Sequence, residues 1–122
     1  MDPLRTEATA IWDVRGVAAA LLWDQQTALP VGAGEQRARQ IAWAERALHE
    51  RYRSDALGRM LAAQPAGADA LARVIGHERE KALRVPSELR EALSEAAGLA
   101  QQAWVQARAN DRFADFLPFL SR

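Results

Sequence analysis

The sequence predicts an all-α fold, a bundle of five to six helices arranged as antiparallel hairpins and completed by dimerisation. Two observations predict the helices. Alanine, leucine, arginine, glutamate and glutamine dominate, and all are strong helix formers. No stretch alternates apolar and polar residues for long enough to form a strand. A third observation, proline, glycine and capping residues at intervals, divides the helical text into elements.

The first helix opens at Asp2-Pro3, an N-cap followed by proline at the first helical position, and runs to about Gln26. Leu4, Ala8, Ile11, Ala18, Ala19 and Leu22 share one face, flanked by Trp12 and Trp23. Ala10, Val14, Val17 and Leu21 form a second apolar strip. A helix apolar on two sides is expected to be central, with Gly16 a weak or close-contact point in it. Arg15 falls inside the apolar face, so it either snorkels outward or meets a buried carboxylate. Trp12-Asp13 and Trp23-Asp24 recur eleven residues apart, which is about three helical turns and not a repeat architecture.

Thr27–Gly34 is a loop broken by Pro30 and two glycines. The backbone at Gly32-Ala33-Gly34 could hold an anion, although such glycines more often only make a turn. A second helix is expected from about Glu35 to Arg53, with Ile41, Leu48 and Tyr52 as its core stripe. Glu35, Arg39, Arg46, Glu50 and Arg53 form a stripe of mixed sign, expected to be a solvated salt-bridge face. Trp43 and Ala47 project away from both stripes, and with Val105 they are the candidate partner-contact residues, the other reading of Trp43 being a ring packed under a neighbouring helix.

Ser54 caps a short third helix reaching about Gln64, and Pro65-Ala66-Gly67 turns the chain. A fourth helix follows from about Asp69 to Leu83. Ser87 is the expected N-cap of a fifth, which extends to about Ala109. Its expected inner face is Leu89, Leu93, Ala96, Ala100, Ala103, Trp104 and Ala107, with small residues permitting close helix approach. Asp111 would cap a short turn over Arg112–Leu117. Pro118 looks like the start of another helix four residues before the chain stops, which points to a fragment or a shortened gene.

Bulk properties exclude several functions. With 122 residues there is room for one domain, spanning 1–122, with a modest core. Hydrophobic residues at 49% and charged residues at 26% argue against disorder. Sixteen basic and 16 acidic residues balance to zero, so no basic excess suggests nucleic acid. Val17–Trp23 is far too short for a bilayer span of about 20 residues. No secretory leader is recognised, and a soluble, cytoplasmic protein is the default expectation. The absence of cysteine removes disulfides, thiolate metal sites and thiol nucleophiles.

Catalytic constellations are missing as well. His49-Glu50 and His77-Glu78 are each half of the zinc motif H-E-x-x-H, which needs histidines at i and i+4 to chelate one ion. The i+4 positions are Arg53 and Lys81, which would repel zinc. Both histidines are expected at the surface or its boundary. Ser54 and Ser87 are explained as caps, and no phosphate-binding glycine motif occurs. No catalytic, metal or cofactor residue is therefore assigned, and the chain is not expected to be an enzyme by itself.

Several segments in order carry a family resemblance: Trp23–Pro30 (WDQQTALP), Gly32–Gly34, Arg37–Gln40, Arg84–Leu89 (RVPSEL), Ala100–Arg108 (AQQAWVQAR) and Phe113–Pro118 (FADFLP). Together they resemble the N-terminal region of the thermostable, Taq-type zinc metallocarboxypeptidases. The resemblance implies an all-helical fold whose N-terminal helices form a wall or gate beside a deep groove, and it implies homodimers. It also implies that the zinc ligands lie downstream of this region. Two readings follow. One is a non-catalytic interaction module that self-associates, with or without exchanged helices, and can dock on a full-length carboxypeptidase relative. The alternative is the N-terminal fragment of an enzyme that removes C-terminal residues from peptides.

Overall fold

The computed structural model describes residues 2–67 and 69–121. The described residues are helical, with no strand among them. The elements are α1 (Pro3–Thr27), α2 (Gly34–Arg53), α3 (Asp55–Ala62), α4 (Ala70–Leu83), α5 (Ser87–Ala109), a 3-10 turn (Phe113–Asp115) and α6 (Leu117–Leu120).

Three helix starts follow their capping residues. The Asp2 carboxylate accepts from the Leu4 amide, Ser54 from Leu57, and Asp69 from Ala72, at 3.1–3.2 Å. Each satisfies one amide that the first helical turn leaves without an acceptor. At α5 the expectation fails by one residue. Pro86, extended at ψ 145°, occupies the cap position, and its carbonyl already accepts from Arg90 at 3.1 Å. Ser87 is thus the first helical residue and does not cap. At the start of α2, Gly32 adopts φ +91° and Ala33 takes the cap position without a side-chain bond. The helix therefore begins at Gly34, which is buried beneath the Gln102 side chain where a Cβ would collide.

The end of α5 is a Schellman motif. Asp111 sits at φ +51°, Arg112 N–H donates to Ala107 O at 2.8 Å, and Asp111 N–H to Arg108 O at 3.3 Å. Asp111 consequently closes α5 and does not cap the following turn. The chain then folds back, and Phe116 meets the Trp104 ring edge-on with centroids 5.3 Å apart. Pro118 lies in the first turn of α6, where a missing amide proton is harmless.

The central helix is α2, not α1. It packs against α1, α3, α4 and α5. One face of α1 is buried as expected, through Leu4, Ala8, Ile11 and Ala18. The rest of that expectation fails: Ala19 and Leu22 are exposed, Val17 is 52% exposed, and Trp12 and Trp23 face solvent. The second strip of α1 is half-buried at Ala10, Val14 and Leu21 and exposed at Val17.

The apolar core joins α1 to α2, α3 and α4. Leu4, Ala8, Ile11, Tyr52, Leu57, Ala72, Ile75 and Ala82 form one cluster, supported by Leu48, Met60, Leu61 and Leu71. Each large side chain buried here contributes about 1.5–3 kcal/mol. α5 joins differently. Its expected inner face is correct at Ala107, but Leu89, Leu93 and Trp104 are exposed. The close approach occurs at Gly98, where an added Cβ would lie 2.9 Å from the Ala38 Cβ. Beside it Arg46 pairs with Glu91 at 2.6 Å and Arg90 with Glu45 at 2.8 Å. The cross-helix pairs turn the Arg90–Glu91 edge of α5 toward α2, leaving the leucines outside.

Candidate interaction surface

Trp43 sits midway along α2 between Ala42 and Ala44, both buried. Helical geometry sends a residue between two inward positions outward, and Trp43 is 67% exposed. It borders an open groove of about 520 Å³ with Val17 and Leu21 from α1 and Gln36, Arg39 and Gln40 from α2. The apolar side of this groove comes from the second strip of α1, half-buried at Leu21 and exposed at Val17. Ala47, one turn beyond Trp43, is half-buried and does not line it.

Val105 is exposed on α5 and belongs to a separate cleft of about 420 Å³. That cleft lies between α5 and the α1–α2 loop and is lined by Gln25, Gln26, Gln101, Gln102 and Gln106. The three contact candidates are therefore not brought into one site. The loop is anchored by Asp24 at the end of α1 and Arg37 at the start of α2, paired at 2.7 Å. Trp12 and Trp23, left out of the candidates, add to the exposed aromatic surface. Their spacing with neighbouring aspartates was a signal that this side of α1 faces water.

The mixed-sign stripe is solvated at Glu35, Arg39 and Glu50, as expected, while Arg46 and Arg53 are half-buried and reach other helices. Arg46 pairs with Glu50 at 2.8 Å within α2 and with Glu91 on α5. Hydrogen bonds to the Glu91 and then the Glu50 carboxylate hold its pKa above the ordinary arginine value. Arg53 donates to the Ala82 and Val85 carbonyls at 2.9 and 3.0 Å, satisfying the end of α4. His49 is buried, only 8% exposed, with Nε2 2.6 Å from the Val85 carbonyl oxygen. It is not the boundary residue expected, because the α4–α5 turn folds over it. His77 is exposed on α4.

Arg15 is exposed, which is the outward of its two expected courses. Its guanidinium donates to the Tyr52 hydroxyl at 2.9 Å, across from α1 to α2. Burial pushes the Tyr52 phenol up, opposed by the nearby Arg15 charge and reinforced by Glu78.

The family model of the carboxypeptidase Taq (M32) metallopeptidases matches residues 3–122. The chain belongs to this family. It is similar to thermostable carboxypeptidase 1 of Thermus thermophilus, with 34% identity over 113 residues, covering 85% of this chain and 22% of that protein. The chain thus spans less than a quarter of the length of the curated relative it matches.

A metallopeptidase family implies a metal, and the described residues of this M32 chain do not fit one. His49 Nε2 is engaged by a backbone carbonyl, and the i+4 positions after the two histidines hold Arg53 and Lys81. No group of three His, Cys, Asp or Glu side chains suited to an ion occurs among the described residues. No described helix is long and apolar enough to cross a membrane.

Proposed function

We propose that this chain is the N-terminal helical region of a zinc-dependent metallocarboxypeptidase. It contributes a non-catalytic wall beside the peptide groove, while zinc ligands and reacting groups belong to another part of the enzyme. The observation that carries the reading is the M32 match along residues 3–122, with the matched region amounting to 22% of its curated relative. The exposed Trp12, Val17 and Trp23 of α1 and Leu89, Leu93 and Trp104 of α5 agree with it, because clustered exposed apolar side chains mark surfaces that meet another body. The test reads the source gene past the Arg122 codon and assays the products with zinc. An open frame reaching an H-E-x-x-H segment, whose product releases C-terminal residues until a chelator is added, supports the reading. Zinc-stimulated hydrolysis by the 122-residue chain alone overturns it.

A second reading is favoured by the exposure of Trp12, Trp23 and Trp43. Here the chain acts as an interaction module that forms a homodimer through these faces and docks on a full-length relative to modulate it. Light scattering is expected to give twice the chain mass at micromolar concentration. A monomer that also fails to bind the full enzyme eliminates this reading.

A further inference from the structure

The interaction surface leaves unused an open cleft of about 350 Å³ lined by residues of α1, α2, α4 and α5. Its lining is ionic, and the charges do not cancel. Glu78 is engaged by Lys81 at 2.6 Å and Glu45 by Arg90 at 2.8 Å, so both carboxylates are matched. Arg15 also lines the cleft, and its hydrogen bond goes to the neutral Tyr52 hydroxyl. Three cations thus face two anions, an excess of one positive charge.

Tyr52 accepts from Arg15, which leaves its own proton available to a further acceptor. Burial raises the phenol pKa and so keeps that proton in place. An arginine fork beside a hydroxyl donor matches the two oxygens of a carboxylate. Leu48, Val85 and Leu93 add apolar wall. The excess of one positive charge is balanced by a monoanion, and a second negative charge on the occupant would have no partner in the lining.

We propose that this cleft binds a small monocarboxylate with a short apolar tail, its oxygens received by the Arg15 guanidinium and the Tyr52 hydroxyl. The site rests on Arg15 and Tyr52, so its test is distinct from that of the carboxypeptidase reading, although Leu93 belongs to the exposed α5 face which that reading also uses.

The experiment is a nuclear magnetic resonance titration of the 122-residue protein with isovalerate, its neutral amide isovaleramide, and inorganic phosphate. Isovalerate is expected to give saturable shifts centred on Arg15 and Tyr52, with a Kd on the order of 1–10 mM. Isovaleramide and phosphate are expected to give none. Arg15→Gln is expected to weaken isovalerate about tenfold or more through loss of charge-assisted bonds. Arg39→Gln, in the separate groove, should leave it unchanged. Should Arg15→Gln disturb the amide spectrum, Arg15→Lys keeps the charge, removes the fork, and is still expected to weaken binding severalfold. Equal binding of the amide, tighter binding of phosphate, or undiminished binding to a folded Arg15 variant each overturns the proposal, as does the lack of any saturable shift.

Discussion

The two sides of α2 are held by different physics. On the α1–α3–α4 side, large aliphatic side chains such as Leu4, Ile11, Leu57 and Ile75 are almost completely buried. On the α5 side, contact rests on Gly98 against Ala38, on Gln102 over Gly34, and on the ion pairs of Arg46 and Glu45. The first side removes apolar area from water, which is strong and non-directional. The second uses close approach and partly exposed charge, which sets register more than it adds stability. Leu89 and Leu93 of α5 and Val17, Trp12 and Trp23 of α1 are left exposed. Such a molecule has one sealed side and one side that stays open to another surface.

The comparison can be broken most severely at Leu57, which is 0% exposed. Leu57→Ala is expected to cost about 2–5 kcal/mol, read from urea unfolding, because a cavity adds to the lost transfer energy. A cost below about 1 kcal/mol would mean that the apolar side is not sealed. On the other side, Gly98→Leu must push α5 off Ala38, at about 1–3 kcal/mol. Its hallmark is a loosening confined to α5, visible as faster amide exchange there than in α4. Equal loosening of both helices would contradict the division.

Tyr52→Phe sharpens the contrast, because Tyr52 joins the apolar cluster while its hydroxyl meets Arg15. Losing that bond is expected to cost about 0.5–1.5 kcal/mol near neutral pH. The folded chain resists deprotonating this phenol. The stability it contributes is complete below the ordinary tyrosine pKa of about 10 and is lost as pH rises through the higher folded value. The variant should therefore show a flatter alkaline limb in its pH–stability profile. An alkaline limb identical to that of the parent would argue against the buried phenol.

Arg46→Gln tests the charged side with a smaller effect. The melting temperature is expected to fall in low salt, and the difference should shrink as salt screens the pairs with Glu91 and Glu50. The smallest stability change belongs to Trp43→Ser, within about 0.5 kcal/mol, since the ring is largely solvated. Under the self-association reading, the same change weakens the dimer in light scattering. An unchanged association constant would place the contact elsewhere.

Much of the helical organisation was legible from local chemistry. Asp2, Ser54 and Asp69 cap the helices they precede, and the loop with Pro30 and Gly32 falls where its composition puts it. The ordered segments from Trp23 to Pro118 were enough to point to the family. Less of the candidate surface was legible. Trp43 faces outward and is not packed under a neighbouring helix, the other course the sequence allowed, while Val105 lies in a different cleft and Ala47 lines neither. Arg15 and Tyr52 are 37 residues apart, and no helical periodicity predicts that they meet.

The sequence by itself determined which segments are helical, where α1 and α3 start, and which stripe of α2 is apolar. Those depend on neighbours within one or two turns, through caps, propensities and the 3.6-residue period. Only the tertiary structure decided that α2 is central, that His49 is enclosed under Val85, and that α5 turns its leucines outward. An apolar face records that a helix can be buried, not which partner buries it. That choice is made by Gly98 against Ala38 and by charge pairs between α2 and α5, contacts whose members lie about 45 to 60 residues apart in the chain.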